Sequence, residues 1–246
     1  MQQYDIIKYS IRNLIKISLL NQHLYKIIMV YTLFATHNKE LFNKNFIKLE
    51  NLECSKNISS INHLINLKNL DDGVSPLLQK NIIKLNKLKM LSCYNNKIFS
   101  VNHLKKLKNL NCSDLSEINQ EGISKISSIT KIICSDNTKI ISVNHFRNLR
   151  YIRSCGACGL MEDGISKLSK LNKFICDDNK KITNINCLNN LKKLSCYNNS
   201  GLDQNGISNL TNLVHLDCAL NNKIYDVNHC TKLKVLYCWV KIVEST

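Results

Sequence analysis

A two-phase register, held for three full periods, restricts what this chain can fold into more than any other feature. An apolar residue recurs two positions before a cysteine at Leu52-Glu53-Cys54, Leu91-Ser92-Cys93, Leu110-Asn111-Cys112, Ile132-Ile133-Cys134, Phe174-Ile175-Cys176, Leu194-Ser195-Cys196, Leu216-Asp217-Cys218 and Leu236-Tyr237-Cys238. Asp72 and Ser154 fill the cysteine slot in two further copies. From Cys112 onward the slots fall at 112, 134, 154, 176, 196, 218 and 238, so the spacing alternates between 22 and 20 and the true period is 42 residues. The alternate halves carry different marks. One reads Lys-Ile-x-x-Val-Asn-His, from Lys97 to His103, Lys139 to His145 and Lys223 to His229. The other reads Gly-Ile-Ser, at Gly122 to Ser124, Gly164 to Ser166 and Gly206 to Ser208. No unit this short can bury its own apolar face, so neighbours must stack.

Each unit offers a short alternating strand, an Asn-containing turn and an apolar return segment. Ten such strands, parallel and about 4.8 Å apart, would line an arc of roughly 45 Å. Leu and Cys then point inward and the residues between them face out. Asn95, Asn137, Asn179, Asn198 and Asn221 fall near the turn, where their amides are expected to form an interior ladder.

The pattern Leu-x-x-Leu-x-Cys-x-x-Asn, seen from Leu88 to Asn96 and from Leu191 to Asn199, resembles the leucine-rich repeat with Cys in its third apolar slot. The resemblance covers about residues 47–240. The Val-Asn-His halves are similar to the short repeats of that superfamily, and the Gly-Ile-Ser halves resemble the cysteine-containing repeats of ubiquitin-ligase adaptors. The chain is also similar to leucine-rich-repeat proteins of giant viruses of amoebae. These resemblances imply an α/β leucine-rich-repeat solenoid over residues 47–246, horseshoe-shaped, with about ten parallel strands on its concave face. They imply a non-enzymatic protein-binding module.

Residues 1–46 do not fit the repeat. Ile7, Ile11, Leu14, Ile15, Leu19, Leu24, Ile28 and Tyr31 fall close to helical spacing, which predicts a helical cap over the first strand. The stretch from Asn13 to Ile28 resembles the second half of an F-box, although only Asp5-Ile6-Ile7 stands where the F-box opening would be. That resemblance implies that Leu14, Ile15, Leu19, Leu20, Leu24 and Tyr25 dock on a ubiquitin-ligase adaptor while the repeats select a substrate.

Twelve Cys and seven His invite a metal reading, which the register opposes. Eight of the cysteines occupy one slot on successive strands and make a column, not a tetrahedral cluster. His103, His145 and His229 lie on every second repeat, roughly 9–10 Å apart by the strand spacing, with Cys187 in the place of the missing member. Zinc ligands sit at about 2.0–2.3 Å. No metal and no cofactor are expected. Cys155-Gly156-Ala157-Cys158 lacks a redox context and reads as a turn with an extra thiol, and Asp71-Asp72-Gly73 reads as a turn between repeats. There is no Gly-rich phosphate loop, nucleophile elbow or His-Glu-x-x-His, so no catalytic residue is assigned. The longest uncharged run near the N-terminus, Ile27 to His37, is too short to span a bilayer. With no export signal, a cytoplasmic location with reduced thiols is expected, in the host cytoplasm if the viral resemblance holds.

Lys and Arg number 34 against 18 Asp and Glu, a formal net charge of +16 that directs attention to acidic partners. On the concave face, the position three before the Cys slot carries Lys131, Tyr151, Lys173, Lys193 and His215 in turn, with Arg153 one before the slot on the Tyr151 strand. Tyr94, Asp177, Tyr197 and Trp239 stand one after it and Tyr237 one before. Aromatics and Arg dominate binding hot spots, so this stripe is the candidate surface for a protein partner with acidic character. Nucleic acid is the competing ligand, because interleaved basic and aromatic residues can also track phosphates and stack nucleobases. The apolar strand ending Tyr237-Cys238-Trp239-Val240 is expected either to be covered by residues 241–246 or to pair with another chain.

Overall fold

The computed structural model describes residues 49–53, 61–72, 77–94 and 97–239. Ten three-residue strands form one parallel sheet in sequence order: β1 (Asn51–Glu53), β2 (Asn69–Asp71), β3 (Met90–Ser92), β4 (Asn109–Asn111), β5 (Lys131–Ile133), β6 (Tyr151–Arg153), β7 (Lys173–Ile175), β8 (Lys193–Ser195), β9 (His215–Asp217) and β10 (Val235–Tyr237). The return segments are mostly turns. Two contain single α-turns, α1 (Gln79–Ile82) and α2 (Gln120–Ile123), and Glu162–Gly164 and Asn205–Ile207 are 3-10 turns. The helical cap expected over residues 1–46, and with it the F-box-like segment, lies outside the described residues.

The register is unbroken. Leu52, Leu70, Leu91, Leu110, Ile132, Ile152, Phe174, Leu194, Leu216 and Leu236 face one another strand by strand. All but Leu236 are buried, and the cysteine that follows is buried on strands three, four, five, seven, eight and nine. Each such Cys closes the next rung of the ladder. The Cys112 amide donates to the Ile133 carbonyl at 2.8 Å, and its thiol points at the same oxygen at 3.6 Å. Cys93 and Cys176 repeat this on Asn111 and Ser195.

The two marked half-repeats are reciprocal. Gly122, Gly164 and Gly206 sit so close to the preceding repeat that an added Cβ would stand 2.1, 2.2 and 1.9 Å from the carbonyl oxygens of Phe99, Ile141 and Thr183. No side chain fits there. The glycine carbonyls in turn accept from the amides of Val101, Val143 and Ile185, each at 2.9 Å. The Asn of Val-Asn-His spans the same seam. Asn144 donates through Nδ2 to the Asp163 carbonyl and accepts the Lys167 amide at 2.9 Å. Asn102 and Asn186 do the same to the Gly-Ile-Ser turns that follow them. The His reaches the other way, since Nε2 of His103, His145 and His229 lies 3.0–3.1 Å from the carbonyls of Ile82, Ile123 and Ile207. The Asn102-His103 and Asn144-His145 corners therefore clasp both the turn before and the turn after, while His229 holds only the turn before it and Asn186 only the turn after it.

A second column of side chains, not anticipated from the sequence, closes the return segments. Gln79, Gln120 and Gln204 each accept two backbone amides of the next repeat through Oε1 and donate through Nε2 to its carbonyl. Glu162 occupies the same slot with a carboxylate, accepting from Thr183 and Asn184. Burial alone would raise its pKa, but the hydrogen bonds from Thr183 and Asn184 outweigh it and hold the carboxyl below its ordinary value.

The interior amide ladder exists and holds Asn137, Asn179 and Asn221 as expected. Asn137 and Asn221 each donate to two carbonyls of the preceding repeat, Asn179 donates to the Ser154 carbonyl, and all three accept the amide two residues on. Asn198, expected in this ladder, is instead on the surface with φ 58°, donating to Asp178. The buried slot in its repeat belongs to Ser200. Asn95 lies outside the described residues.

Gly164→Ala should cost about 1–3 kcal/mol, the usual penalty for overpacking, whereas the exposed Ser169→Ala should stay within about 0.5 kcal/mol; urea denaturation of the full chain measures both. For Glu162 the folded pKa lies below the unfolded one, so its stabilisation is complete above the ordinary carboxylate range. It is lost as pH falls through the folded value. Glu162→Gln, which restores the residue found at 79, 120 and 204, should flatten the acid side of the stability–pH curve below roughly pH 5, as read by denaturant midpoints across pH.

Candidate functional site

The outer face of the sheet is built from the residues flanking each buried strand centre. Because the pairing is in register, Lys131, Tyr151, Lys173, Lys193 and His215 stand side by side on β5 to β9. Lys131, Arg153 and Lys193 are exposed, while Tyr151, Lys173 and His215 are half-buried. The centre of this row is a contact that the register permits. Lys131 Nζ lies 4.9 Å and Lys173 Nζ 5.3 Å from the centroid of the Tyr151 ring, one from each neighbouring strand. A cation over an exposed ring contributes about 0.5–1 kcal/mol. The ring thus holds two ammonium groups in place on either side of itself. Burial pushes the Tyr151 phenol up, so it stays protonated and neutral beside them.

The residues after the Cys slot have a different character. Asp177, half-buried, accepts from the Ser195 hydroxyl at 2.5 Å and from the Tyr197 amide at 3.0 Å, and Cys155 Sγ lies 3.8 Å from its other oxygen. It braces the turn that carries Tyr197 on the neighbouring repeat. The next position in each turn adopts positive φ at Asp114, Asp136, Gly156, Asp178, Asn198 and Leu220, between 55° and 62°. Asp and Asn tolerate that region better than most residues. Ile133 and Ile175, half-buried, lie between the lysine row and these turns. Tyr94 is half-buried on the β3 repeat, and Tyr237 and Trp239 are 59% and 72% exposed on the last strand. The structure therefore gathers Lys131, Tyr151, Arg153, Lys173, Asp177, Lys193, Tyr197 and His215 on five adjacent strands. Tyr94 stands two strands before them, and Tyr237 and Trp239 stand at the end of the sheet.

No protein-family model matches the chain, and no curated protein matches it in sequence. Solved structures do. An internalin C2 of Listeria monocytogenes is similar with TM-score 0.51 at 23% identity, over 64% of this chain and 74% of that one. A leucine-rich-repeat protein of Leptospira interrogans is similar with TM-score 0.47 at 18% identity, over 72% of this chain and 56% of that one. The functional domain of InlJ from Listeria monocytogenes, whose structure includes a cysteine ladder, gives TM-score 0.40 at 19% identity over 77% and 58%. The chain spans little more than half of the latter two. At these identities the likeness speaks for architecture. The chain has the leucine-rich-repeat fold.

In that fold the cysteine slot is an interior column, and the thiols behave accordingly. Burial drives the Cys112 and Cys196 thiols well above their ordinary range and lifts Cys218 to about 11. Cys155-Gly156-Ala157-Cys158 is a turn with Gly156 at φ 62°. Its second thiol lies outside the column, in the amide-ladder slot, with Sγ 3.6 Å from Cys134 Sγ. Contact with the Cys158 thiol and burial together push Cys134 up, while that same contact and nearby amides favour the thiolate at Cys158. Spacing from the Cys slot did not reveal this pair. Among the described residues no group of three or more His, Cys, Asp or Glu side chains is placed to hold a metal ion. No helix among them is long and apolar enough to cross a membrane.

A maleimide reagent applied to the native full chain should modify the exposed Cys187 and Cys238 rapidly and the half-buried Cys155 more slowly. Cys112, Cys134, Cys176 and Cys196 should react only after denaturation, as read by peptide mass spectrometry.

Proposed function

We propose that this chain is a non-enzymatic binding module whose outer sheet face, the concave wall of a horseshoe, holds a protein partner carrying an acidic segment. The observation that carries this reading is the Tyr151 ring flanked by Lys131 and Lys173, with Arg153 and Lys193 beside it. Preformed side chains lose less entropy on binding, and a ring with two cations offers both apolar area and charge. The partner's carboxylates pair with the ammonium groups while its aliphatic atoms cover the ring, Ile133 and Ile175.

A ubiquitin-ligase role rests on two resemblances, of the N-terminal segment to an F-box and of the Gly-Ile-Ser halves to adaptor repeats. In that version Leu14, Ile15, Leu19, Leu20, Leu24 and Tyr25 bind the adaptor and the sheet face selects the substrate. Loss of adaptor co-precipitation on deleting residues 1–46 tests it separately from the face. The second reading, nucleic acid, is favoured by the net charge of +16. Salt dependence separates the two: phosphate contacts give a steep linear fall of log affinity with log salt, and an aromatic-anchored protein interface gives a shallower one.

The test is affinity capture from the native cell with the wild-type chain and the double variant Tyr151→Ala, Lys173→Ala. A protein captured by the first and lost from the second by roughly tenfold or more, the scale of a single hot spot, supports the reading. A protein retained equally by both variants would place binding elsewhere.

A further inference from the structure

The outer face carries opposite charges on its two margins. At the strand entrances from β4 to β9 stand Lys108, Lys131, Arg150, Lys173, Lys192 and Lys193, and no acidic residue. At the exits, in the three residues after each Cys slot, stand Asp114, Asp136, Asp177 and Asp178, and no Lys or Arg. Between the margins, at the last residue of each strand from β4 to β9, run Asn111, Ile133, Arg153, Ile175, Ser195 and Asp217, so the apolar part of the face is Ile133 and Ile175, with the Tyr151 ring inside the lysine row. Five residue steps separate the lysine row from the positive-φ turns, at most about 16 Å at strand rise. That is roughly two Debye lengths at physiological salt. The margins act on each other only across the width of the sheet, and a ligand lying along the sheet meets opposite signs on its two flanks.

We propose that this face selects a helical segment of a protein partner that is itself sign-divided: an apolar ridge with carboxylates on one flank and Lys or Arg on the other. The inference rests on the reading of this face as a protein-binding surface and adds what that partner must look like. The dimensions agree. A helix about 10–12 Å across fits between margins up to about 16 Å apart, and six strands span about 24 Å, the length of roughly sixteen helical residues. The helix axis runs across the strands, its ridge against Ile133 and Ile175, with Arg153 between them turned to the acidic flank. Its acidic flank pairs with Lys131 and Lys173, and its basic flank with Asp136 and Asp178. A uniformly acidic segment gains at one margin and is repelled at the other, and so is a phosphate backbone. The sign division thus opposes nucleic acid more firmly than the net charge invites it.

Three designed helical peptides of about sixteen residues, sharing one apolar ridge, test this by fluorescence anisotropy against the full chain at physiological salt. Their flanks are Glu/Lys, Glu/Glu and Lys/Lys. The Glu/Lys peptide should bind at least about tenfold tighter than either of the others. Asp136→Lys with Asp178→Lys should shift the preference to the Glu/Glu peptide, and circular dichroism confirms that this variant is folded. If the Asp turns prove intolerant, Lys131→Glu with Lys173→Glu should shift the preference to Lys/Lys and serves in their place. Equal or tighter binding of Glu/Glu by the native chain, abolished by Tyr151→Ala, would overturn the sign-divided partner and leave the protein-binding face intact. A single-stranded oligonucleotide that outcompetes all three peptides, or no peptide binding at millimolar concentration, would overturn both.

Discussion

The seam where one repeat's Asn-His corner meets the next repeat's Gly-Ile-Ser turn is the constraint on which the rest of the structure depends. At Gly164 the backbone of the preceding repeat comes so near that the carbonyl of Ile141 occupies the space of a side chain. Only then can the Val143 amide reach the Gly164 carbonyl, Asn144 bridge to Asp163 and Lys167, and His145 reach back to Ile123. An Asn-His corner needs a glycine turn beside it, and a glycine turn needs a corner. That mutual need is why the period is 42 residues and not half of it. It also aligns the strands, and the alignment is what brings Lys131, Tyr151 and Lys173 within reach of one another.

The strands were legible because one side chain in each is committed to the interior and the next buried slot follows two residues later. Leu110 and Cys112, or Phe174 and Cys176, announce a strand whatever stands between them. The amide ladder was legible only in part, and the reason is arithmetic that the Cys slots conceal. Buried ladder positions fall at 116, 137, 158, 179, 200 and 221, an even spacing of 21 residues, while the Cys slots alternate between 22 and 20. The turn is therefore one residue longer after Cys112, Ser154 and Cys196 than after Cys134, Cys176 and Cys218. Counting from the cysteine places Asn198 near the ladder, and the structure gives that place to Ser200. The same offset hid the approach of Cys158 to Cys134.

The candidate face divides in a similar way. Its columns follow from register, so Lys131, Tyr151, Lys173, Lys193 and His215 could be aligned from spacing alone. Their contacts could not, because the reach of a lysine across a strand spacing to a particular ring depends on rotamers that sequence does not encode. Asp177 shows the limit from the other side. As a column member it looks like a free carboxylate facing a partner, yet its Oδ1 accepts from both the Ser195 hydroxyl and the Tyr197 amide. Its charge still contributes to the exit margin, while its hydrogen bonds belong to the fold.

The net charge of +16 looks at first like a statement about the partner, but the structure gives much of it another cause. Two ion pairs, Lys68–Glu50 and Lys139–Glu117, occur among the described residues. Far more lysines donate to neutral oxygens one repeat away: Lys87 to Asn66, Lys105 to the Lys125 carbonyl, Lys139 also to the Ser116 carbonyl, Lys170 to Asn148, Lys223 to the Ser200 carbonyl and Lys232 to Asn212. A solenoid whose return segments are turns leaves carbonyls that no helix or sheet satisfies. Lysine, with three donors on a long stem, reaches such carbonyls at residues 125, 116 and 200 and the side-chain oxygens of Asn66, Asn148 and Asn212 without needing an acid nearby. An excess of cations thus accompanies this construction whether or not anything anionic binds. Under the proposed reading, what a partner meets is not the size of the charge but its sorting, with lysine at the strand entrances and aspartate at the exits of one sheet face.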